Sequence, residues 1–220
     1  MDRAEAIRII KRGLGFRQTQ DDAIIAALQE AQRNLELGHS LPSWLLAYDQ
    51  PVTVTAGDGN ITLPVGFLRL HDDYELYYIN NNSARVFIPR RNYTEAYQAY
   101  VASGTENDEV DEATSSYPQV WVQRGKTSGL LIPTPTVSFT AYLTHYKAAD
   151  TLQVNTTNAW LDHAPDVLIG MAGMTVAGNL RDTAAYNTFQ QRATIAGKSY
   201  MGDIVEDELA GRPLMMGRNN

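Results

Sequence analysis

The spacing of apolar residues changes twice along this chain of 220 residues, and the two changes constrain its fold. Up to about residue 48, apolar residues recur at the period of an amphipathic helix. From Pro51 they alternate with polar residues, as in half-buried strands, and the helical period returns after about residue 150. We therefore predict an α+β protein in which the N- and C-terminal helices form one helical bundle around an inserted antiparallel β domain.

The N-terminal part of the bundle, residues 1–48, is predicted to contain two helices. The first covers residues 2–12, and the second runs from an N-cap at Thr19 to a stop at Gly38. One face of the second helix carries four apolar residues at helical spacing, Ile24, Leu28, Ala31 and Leu35. Trp44 follows and is interpreted as a core anchor.

The inserted domain, residues 49–150, is predicted to be a sandwich or barrel-like unit of about six strands. Turn residues recur between short strand signals, as in Gly57-Asp58-Gly59-Asn60, and residues 92–101 fit a brief helix. Residues 103–116 contain acidic side chains and no basic one, so we predict a solvated loop there. These acidic residues are Glu106, Asp108, Glu109, Asp111 and Glu112.

The C-terminal part of the bundle, residues 151–201, is predicted to contain two more helices. Asp162 is a candidate N-cap for the first, which Pro165 helps to start. The first helix has an expected core stripe of Leu168, Met171, Ala172 and Thr175, and small residues at Gly170, Gly173, Ala177 and Gly178. Small residues allow close backbone approach, so this face is expected to pack on other helices or on a neighbouring subunit. After a break at residues 179–182, the second helix carries Tyr186, Phe189, Ile195 and Tyr200.

The tail, residues 202–220, shows no periodicity and is predicted to be extended. It contains apolar residues without an evident partner in the chain, which suits ordering on binding, although a frayed terminus is the alternative. The candidate partner-binding residues are Leu209, Pro213, Leu214, Met215, Met216 and Arg218.

The composition is that of an ordinary folded protein, with 44% hydrophobic and 20% charged residues. Cysteine is absent, which excludes disulfides and cysteine-ligated metals. The net charge of −7 argues against general coating of nucleic acid but allows an acidic wall along a DNA passage. The first residues do not read as a secretory signal, and no apolar run reaches membrane-spanning length, so intracellular synthesis is expected.

The sequence predicts no catalytic, metal or cofactor site, and therefore no enzyme. His71-Asp72-Asp73 has metal-ligand residue types but lacks the spacing of a known motif. His145 and His163 are interpreted as packing or capping residues. Arg124-Gly125-Lys126-Thr127 lacks the upstream glycine of a phosphate-binding loop and is predicted to be a hairpin turn.

Four phrases of the sequence resemble the head-to-tail connector (adaptor) proteins of tailed bacteriophages, the ring proteins beneath the portal. They are IIAALQEAQRNLELGHSLPSWLL, NITLPVGFLRL, AYLTHYKAADTL and NTTNAWLDHAPDVLIGMAGMTVAGNL. The resemblance extends over nearly the whole chain. It implies a dodecameric ring in the virion neck, assembled in the host cytoplasm, that docks on the portal protein and supports the next tail protein, a nozzle or tube. It also implies that DNA passes through the lumen during packaging and ejection, and that the tail reaches the portal or a neighbouring copy.

Two other functions stay open at this point. One is a β-sandwich binding module of a tail or host-surface recognition protein, with carbohydrate stacking on tyrosines. The candidate tyrosines are Tyr74, Tyr77, Tyr78, Tyr93, Tyr97 and Tyr100. The other is a hydrolase that uses the acidic residues of the loop at 103–116.

Overall fold

The protein is described by a computed structural model over residues 1–16, 20–38, 40–71, 76–100, 117–153 and 157–210. The side chains of residues 97, 99, 100 and 201–210 are outside that description. The chain is a mixed α and β protein that divides into two compact units. The helical unit comprises Met1–Leu45 and Ala149–Asn220, and the β unit comprises Leu46–Ala148. The sequence placed these boundaries at 48/49 and 150/151.

Five helices form the described part of the helical unit, and α3 belongs to the β unit. The five are α1 (Arg3–Gly13), α2 (Asp21–Glu36), α4 (Ala159–His163), α5 (Pro165–Asn179) and α6 (Thr183–Ala210). Helix α5 contacts each of the other four. The core face predicted for α2 is confirmed at Ile24, Leu28 and Ala31, which are buried. Because α5 is apolar around most of its circumference, it occupies the centre of this unit.

Two predicted helix caps differ from the structure. Asp162 lies inside α4, whose N-cap is Asn158, with its side-chain oxygen accepting from the amides of Trp160 and Leu161. The helix that Pro165 begins is α5, whose N-cap is Ala164 without a side-chain bond, so the cap predicted at Asp162 was wrong. Because Asp162 belongs to α4, it is not placed to cap α5, and its carboxylate accepts from the N-terminal amine of Met1 at 3.0 Å. Pro165 begins α5 as expected. Helix α2 has Gln20 at its N-cap, and Thr19 lies outside the described residues.

The small-residue face of α5 packs against α6, as predicted. A β-carbon on Gly173 would stand 2.3 Å from the ring of Phe189, so only glycine leaves room for that ring. The core stripe predicted on α5 was wrong at Thr175. Thr175 is exposed, with its hydroxyl donating to the carbonyl of Met171, and Ile195 is 72% exposed on α6. Helix α6 buries the Phe189 side instead, because that side faces the glycines of α5.

The C-terminal tail begins later than the sequence suggested. An extended segment was expected from Gly202, but α6 continues to Ala210. One glycine costs a helix only about 1 kcal/mol, and the glutamates, leucine and alanine after it are good helix formers. Residues 211–220 lie outside the described part of the chain.

The β unit contains two antiparallel sheets. One joins β1 (Leu46–Val54), β8 (Phe139–Lys147), β4 (Leu76–Ile79) and β5 (Arg85–Phe87) in that order, with β3 (Phe67–Leu70) also paired to β8. The other joins β2 (Asn60–Thr62), β7 (Ser128–Ile132) and β6 (Val120–Arg124). The alternation at residues 74–79 and 85–88 predicts a hairpin, and β4 and β5 confirm it. The hairpin turn predicted at residues 124–127 is confirmed between β6 and β7. The predicted short helix appears as α3 (Tyr93–Tyr100).

One hydrophobic cluster of the β unit takes residues from both sheets. Val52 and Leu143 come from the first sheet, while Ile61, Trp121 and Leu131 come from the second. The strands alternate between this cluster and the opposite face, since Tyr78 belongs to the cluster and its neighbour Tyr77 does not. A smaller cluster joins Ala96 of α3 to Val120 and Val122 of β6. The fold thus attaches α3 and the β6–β7 hairpin to one another.

Candidate interaction site

A polar cluster in the helical unit fixes the point where the chain returns from the strands. One carboxylate oxygen of Glu36 accepts from the Trp160 indole at 3.2 Å, the Ala149 amide at 3.0 Å and the Gln32 amide group at 2.9 Å. The side chain of Asn158 also donates to Gln32, at 3.2 Å. These bonds attach the residues before α4 to α2, so the cluster has a structural role.

An aromatic cleft of about 370 Å³ lies next to this cluster in the helical unit. The Trp44 ring stacks on His163 with centroids 4.9 Å apart and meets Trp160 edge-on at the same distance. Tyr200 of α6 lines the cleft and also contacts Trp160. Trp44 therefore packs on Trp160 and His163 as an anchor, but it is half-buried at the cleft and does not belong to the buried core that the sequence predicted.

The predicted partner-binding residues cannot be assigned contacts. Leu209 lies within the helical backbone of α6, and its side chain is outside the described part of the chain. Pro213, Leu214, Met215, Met216 and Arg218 lie outside the described residues altogether, as does the acidic segment 103–116. Their proposed roles stay predictions.

An aromatic row crosses the face of the first sheet opposite its hydrophobic cluster. Tyr142 is paired with both Pro51 and Tyr77, and Tyr77 is paired with Phe87. The Tyr77 ring stacks on Tyr142 with centroids 5.4 Å apart, and the Arg85 guanidinium lies 4.7 Å from the Tyr77 centroid. The Tyr77 hydroxyl donates to Asp49 at 2.8 Å. Burial, followed by this bond to Asp49, raises the pKa of Tyr77 above its ordinary value.

The tyrosines considered for carbohydrate stacking do not form an open platform. Tyr77 is 5% exposed and Tyr78 is 8% exposed, so neither presents a ring face to solvent. Tyr93 is 52% exposed, and the Arg124 guanidinium lies 5.9 Å from its ring centroid. Tyr74 and the side chains of Tyr97 and Tyr100 are outside the described part of the chain.

A basic hollow lies where α3 meets the β6–β7 hairpin. We use this name for a hollow of about 750 Å³ lined by Arg90, Arg91, Tyr93, Gln123 and Lys126, among others. The Arg124 guanidinium lies 5.9 Å from the ring centroid of Tyr93. Backbone bonds fix its two sides, since the Arg91 amide donates to the Trp121 carbonyl at 2.9 Å and the Trp121 amide to the Pro89 carbonyl at 3.1 Å. The hairpin turn includes Gly125, whose φ of +73° favours glycine.

The charge of the basic hollow contrasts with that of the chain. Three cationic side chains line it, Arg90, Arg91 and Lys126, and Glu95 is the carboxylate among its described lining residues. The chain as a whole carries −7. Within the described part of the chain, no carboxylate forms an ion pair with Arg91, Arg124 or Lys126. The arrangement is chemically suited to hold an extended anion.

Sequence reasoning missed the basic hollow because its cations come from two distant segments. The pairs Arg90–Arg91 and Arg124–Lys126 are each visible in the sequence, but neither is unusual alone. The two pairs are brought together by the backbone hydrogen bonds of Trp121 with Pro89 and Arg91. No local sequence pattern predicts these bonds. The predicted turn at residues 124–127 was correct, but its contribution of charge to a hollow was not foreseen.

The described histidines pack against aromatic rings. No group of histidine and acidic residues suited to a metal ion occurs among the described residues, and Asp72 and Asp73 lie outside them. His145 is fully buried and stacks on Phe67 with centroids 5.3 Å apart. Burial lowers the pKa of His145, because the imidazolium would lose its hydration. His145 is thus a packing residue, as predicted.

Comparison with known proteins adds a relationship that covers almost the full length. The sequence model of the SU10 adaptor protein family matches residues 1–217. The match includes the helical unit, the β unit and most of the C-terminal tail. No curated protein matches the sequence. Of the helices that the structure describes, none is long and apolar enough to cross a membrane.

Proposed function

The chain belongs to the SU10 adaptor protein family, and we propose that it is the head-to-tail adaptor of a tailed-bacteriophage virion. In this proposal, copies of the chain form a ring, dodecameric in number, in the neck between head and tail. The ring docks on the portal protein and offers a platform to the next tail component, a nozzle or tube. The protein is structural and performs no catalysis.

The observation that carries the proposal is the length of the family match, residues 1–217. A match confined to the helices or to the strands would relate only one unit to adaptors. Here the same relationship includes both units and continues past the end of α6 at Ala210. The proposal therefore concerns the whole chain.

Surfaces without a described partner support association between copies. Ile195 is 72% exposed and Tyr186 is 38% exposed on α6, although both are large and apolar. Tyr186 and Ile195 are nine residues apart, which places them on opposite sides of the helix. We propose that the side of α6 that carries Ile195 contacts a neighbouring copy, since α5 uses the side that carries Phe189.

We propose that the tail beyond α6 contacts the portal protein. Candidate contacts are Leu209, Pro213, Leu214, Met215, Met216 and Arg218. Flexible methionines adapt to irregular apolar pockets, which suits Met215 and Met216 to such a contact. DNA would pass through the lumen without sequence recognition, and the acidic charge of the chain would limit adhesion to the wall.

Truncation tests the attachment. Because α6 extends to Ala210, a deletion of residues 211–220 removes the tail and leaves the helix entire. We expect the truncated protein to keep its circular dichroism spectrum and melting temperature but to lose cosedimentation with portal particles. The control is Glu30→Ala, an exposed substitution on α2, which should cosediment like the unmodified protein. Equal cosedimentation of the truncated protein would contradict the role of the tail.

A further inference from the structure

We propose that the basic hollow of the β unit binds the phosphodiester backbone of DNA and does not read the base sequence. The inference rests on the proposed function, in which DNA passes through a ring of these chains. It assigns to one surface of the chain a contact that the acidic overall charge would otherwise disfavour.

The charge of the hollow is the first step. Arg90, Arg91 and Lys126 bring three positive charges to a hollow in which Glu95 is the carboxylate among the described lining residues. A fourth cation, Arg124, lies 5.9 Å from the ring centroid of the lining residue Tyr93. Like charges held near one another repel, and a bound polyanion removes that repulsion. A basic cluster on an acidic chain also concentrates the attraction for DNA at one place.

The rigidity of the hollow is the second step. Arg90 and Arg91 follow β5 and are attached to β6 through Trp121, whose backbone bonds to Pro89 and Arg91. Lys126 stands on the β6–β7 turn, where the side chain of Gln123 donates to the Gly125 carbonyl at 2.7 Å. Helix α3 begins at Tyr93 beside these cations and directs the positive end of its dipole to the same region. Phosphate contacts of this kind position a protein on DNA.

The lining of the hollow favours DNA over an acidic protein. Its volume of about 750 Å³ exceeds what one inorganic anion fills, so a stretch of backbone is the better occupant. Val122, one of its apolar lining residues, is buried beneath it at 4% exposure. Protein interfaces rely on apolar anchors at their centres, whereas interfaces with DNA are more polar and positively charged. Apart from the exposed ring of Tyr93 and the half-buried Leu68, the lining is polar and mostly cationic, which is closer to the second type.

Two double variants test the inference with equal loss of charge. Arg91→Ala with Lys126→Ala removes two cations of the hollow. Arg33→Ala with Lys198→Ala removes two exposed cations of the helical unit, and both pairs start from the same net charge of −7. The probe is a short fluorescent DNA duplex of mixed sequence, measured by anisotropy at several salt concentrations with the full chain. Poly-glutamate at matched charge is added as a competitor, and portal cosedimentation of every variant is recorded.

We expect the hollow variant to bind the duplex more weakly, with a plot of log affinity against log salt that is shallower by about 1.8. The control variant should retain the unmodified affinity and slope. Three outcomes would overturn the inference. They are an unmodified protein that does not bind the duplex, the same loss of affinity in both double variants, and poly-glutamate that competes for the protein as strongly as DNA of the same charge. Cosedimentation with portal is measured separately from DNA binding. If the duplex does not bind but the protein still cosediments with portal, the inference fails and the proposed function stands. An unmodified protein that does not cosediment with portal would instead count against the adaptor role.

Discussion

Gly170 of α5 lies directly against the backbone of Ala193 of α6, and a β-carbon on Gly170 would stand 2.8 Å from the Ala193 nitrogen. The neighbouring atoms belong to a helix backbone and cannot rotate away, unlike the end of a flexible side chain. The separation of the two helices at this point is therefore set by the absence of a side chain.

Gly170→Ala is expected to destabilise the protein, because α6 must move away from α5 to admit the methyl group. The expected loss is about 1–3 kcal/mol in the free energy of unfolding, measured by urea denaturation. Gly197→Ala is the matched control, since no atom lies within 4 Å of its β-carbon position in α6. It should stabilise the protein by about 0.5–1 kcal/mol through helix propensity. Equal effects of the two substitutions would contradict the close approach.

Glu36→Ala is expected to loosen the attachment of the returning chain to α2. The substitution removes the acceptor of the Trp160 indole, the Ala149 amide and the Gln32 side chain. A buried donor left without an acceptor costs about 1–3 kcal/mol. We therefore expect the free energy of unfolding, measured by urea denaturation, to fall by about that amount. Glu36→Gln retains an oxygen acceptor and should lose less. Glu30→Ala, exposed on the same helix, should change stability little, and a comparable loss there would show that the cluster has no special role.

Stability is expected to fall on acidification through the titration of His145. Burial lowers its pKa in the folded protein, so the unfolded chain binds a proton first as the pH falls below its ordinary value of about 6.5. The contribution of His145 to the free energy of unfolding should therefore be constant above that pH and decrease below it. His145→Gln removes the titrating group, and the difference in stability between neutral and mildly acidic buffer should shrink. An unchanged difference would assign the acid sensitivity to other groups.

The elements of the fold were more predictable than its contacts. The helical period placed the buried face of α2, and the alternating period located the strands of the β4–β5 and β6–β7 hairpins. These features depend on residues near one another in the chain. The sequence of α6 did not show which of its sides is buried. Phe189 is buried and Ile195 is exposed because the glycines of α5 lie against the Phe189 side.

Caps and charge clusters were less predictable because each depends on a distant partner. Asp162 does not cap α5, because it belongs to the separate short helix α4, whose N-cap Asn158 is also bonded to Gln32 on α2. Arg91 and Lys126 border the same hollow only because Trp121 bonds to the backbone between β5 and α3. Neither bond is visible in a local sequence pattern.

Electron microscopy of the protein mixed with its portal protein tests the adaptor role most directly. A lone subunit is not decisive, because an adaptor can stay monomeric until the portal is present. We predict a ring of copies seated on the portal, with residues 211–220 in contact with the portal or with a neighbouring copy. Portal particles without a ring at concentrations where both proteins are folded would contradict the account.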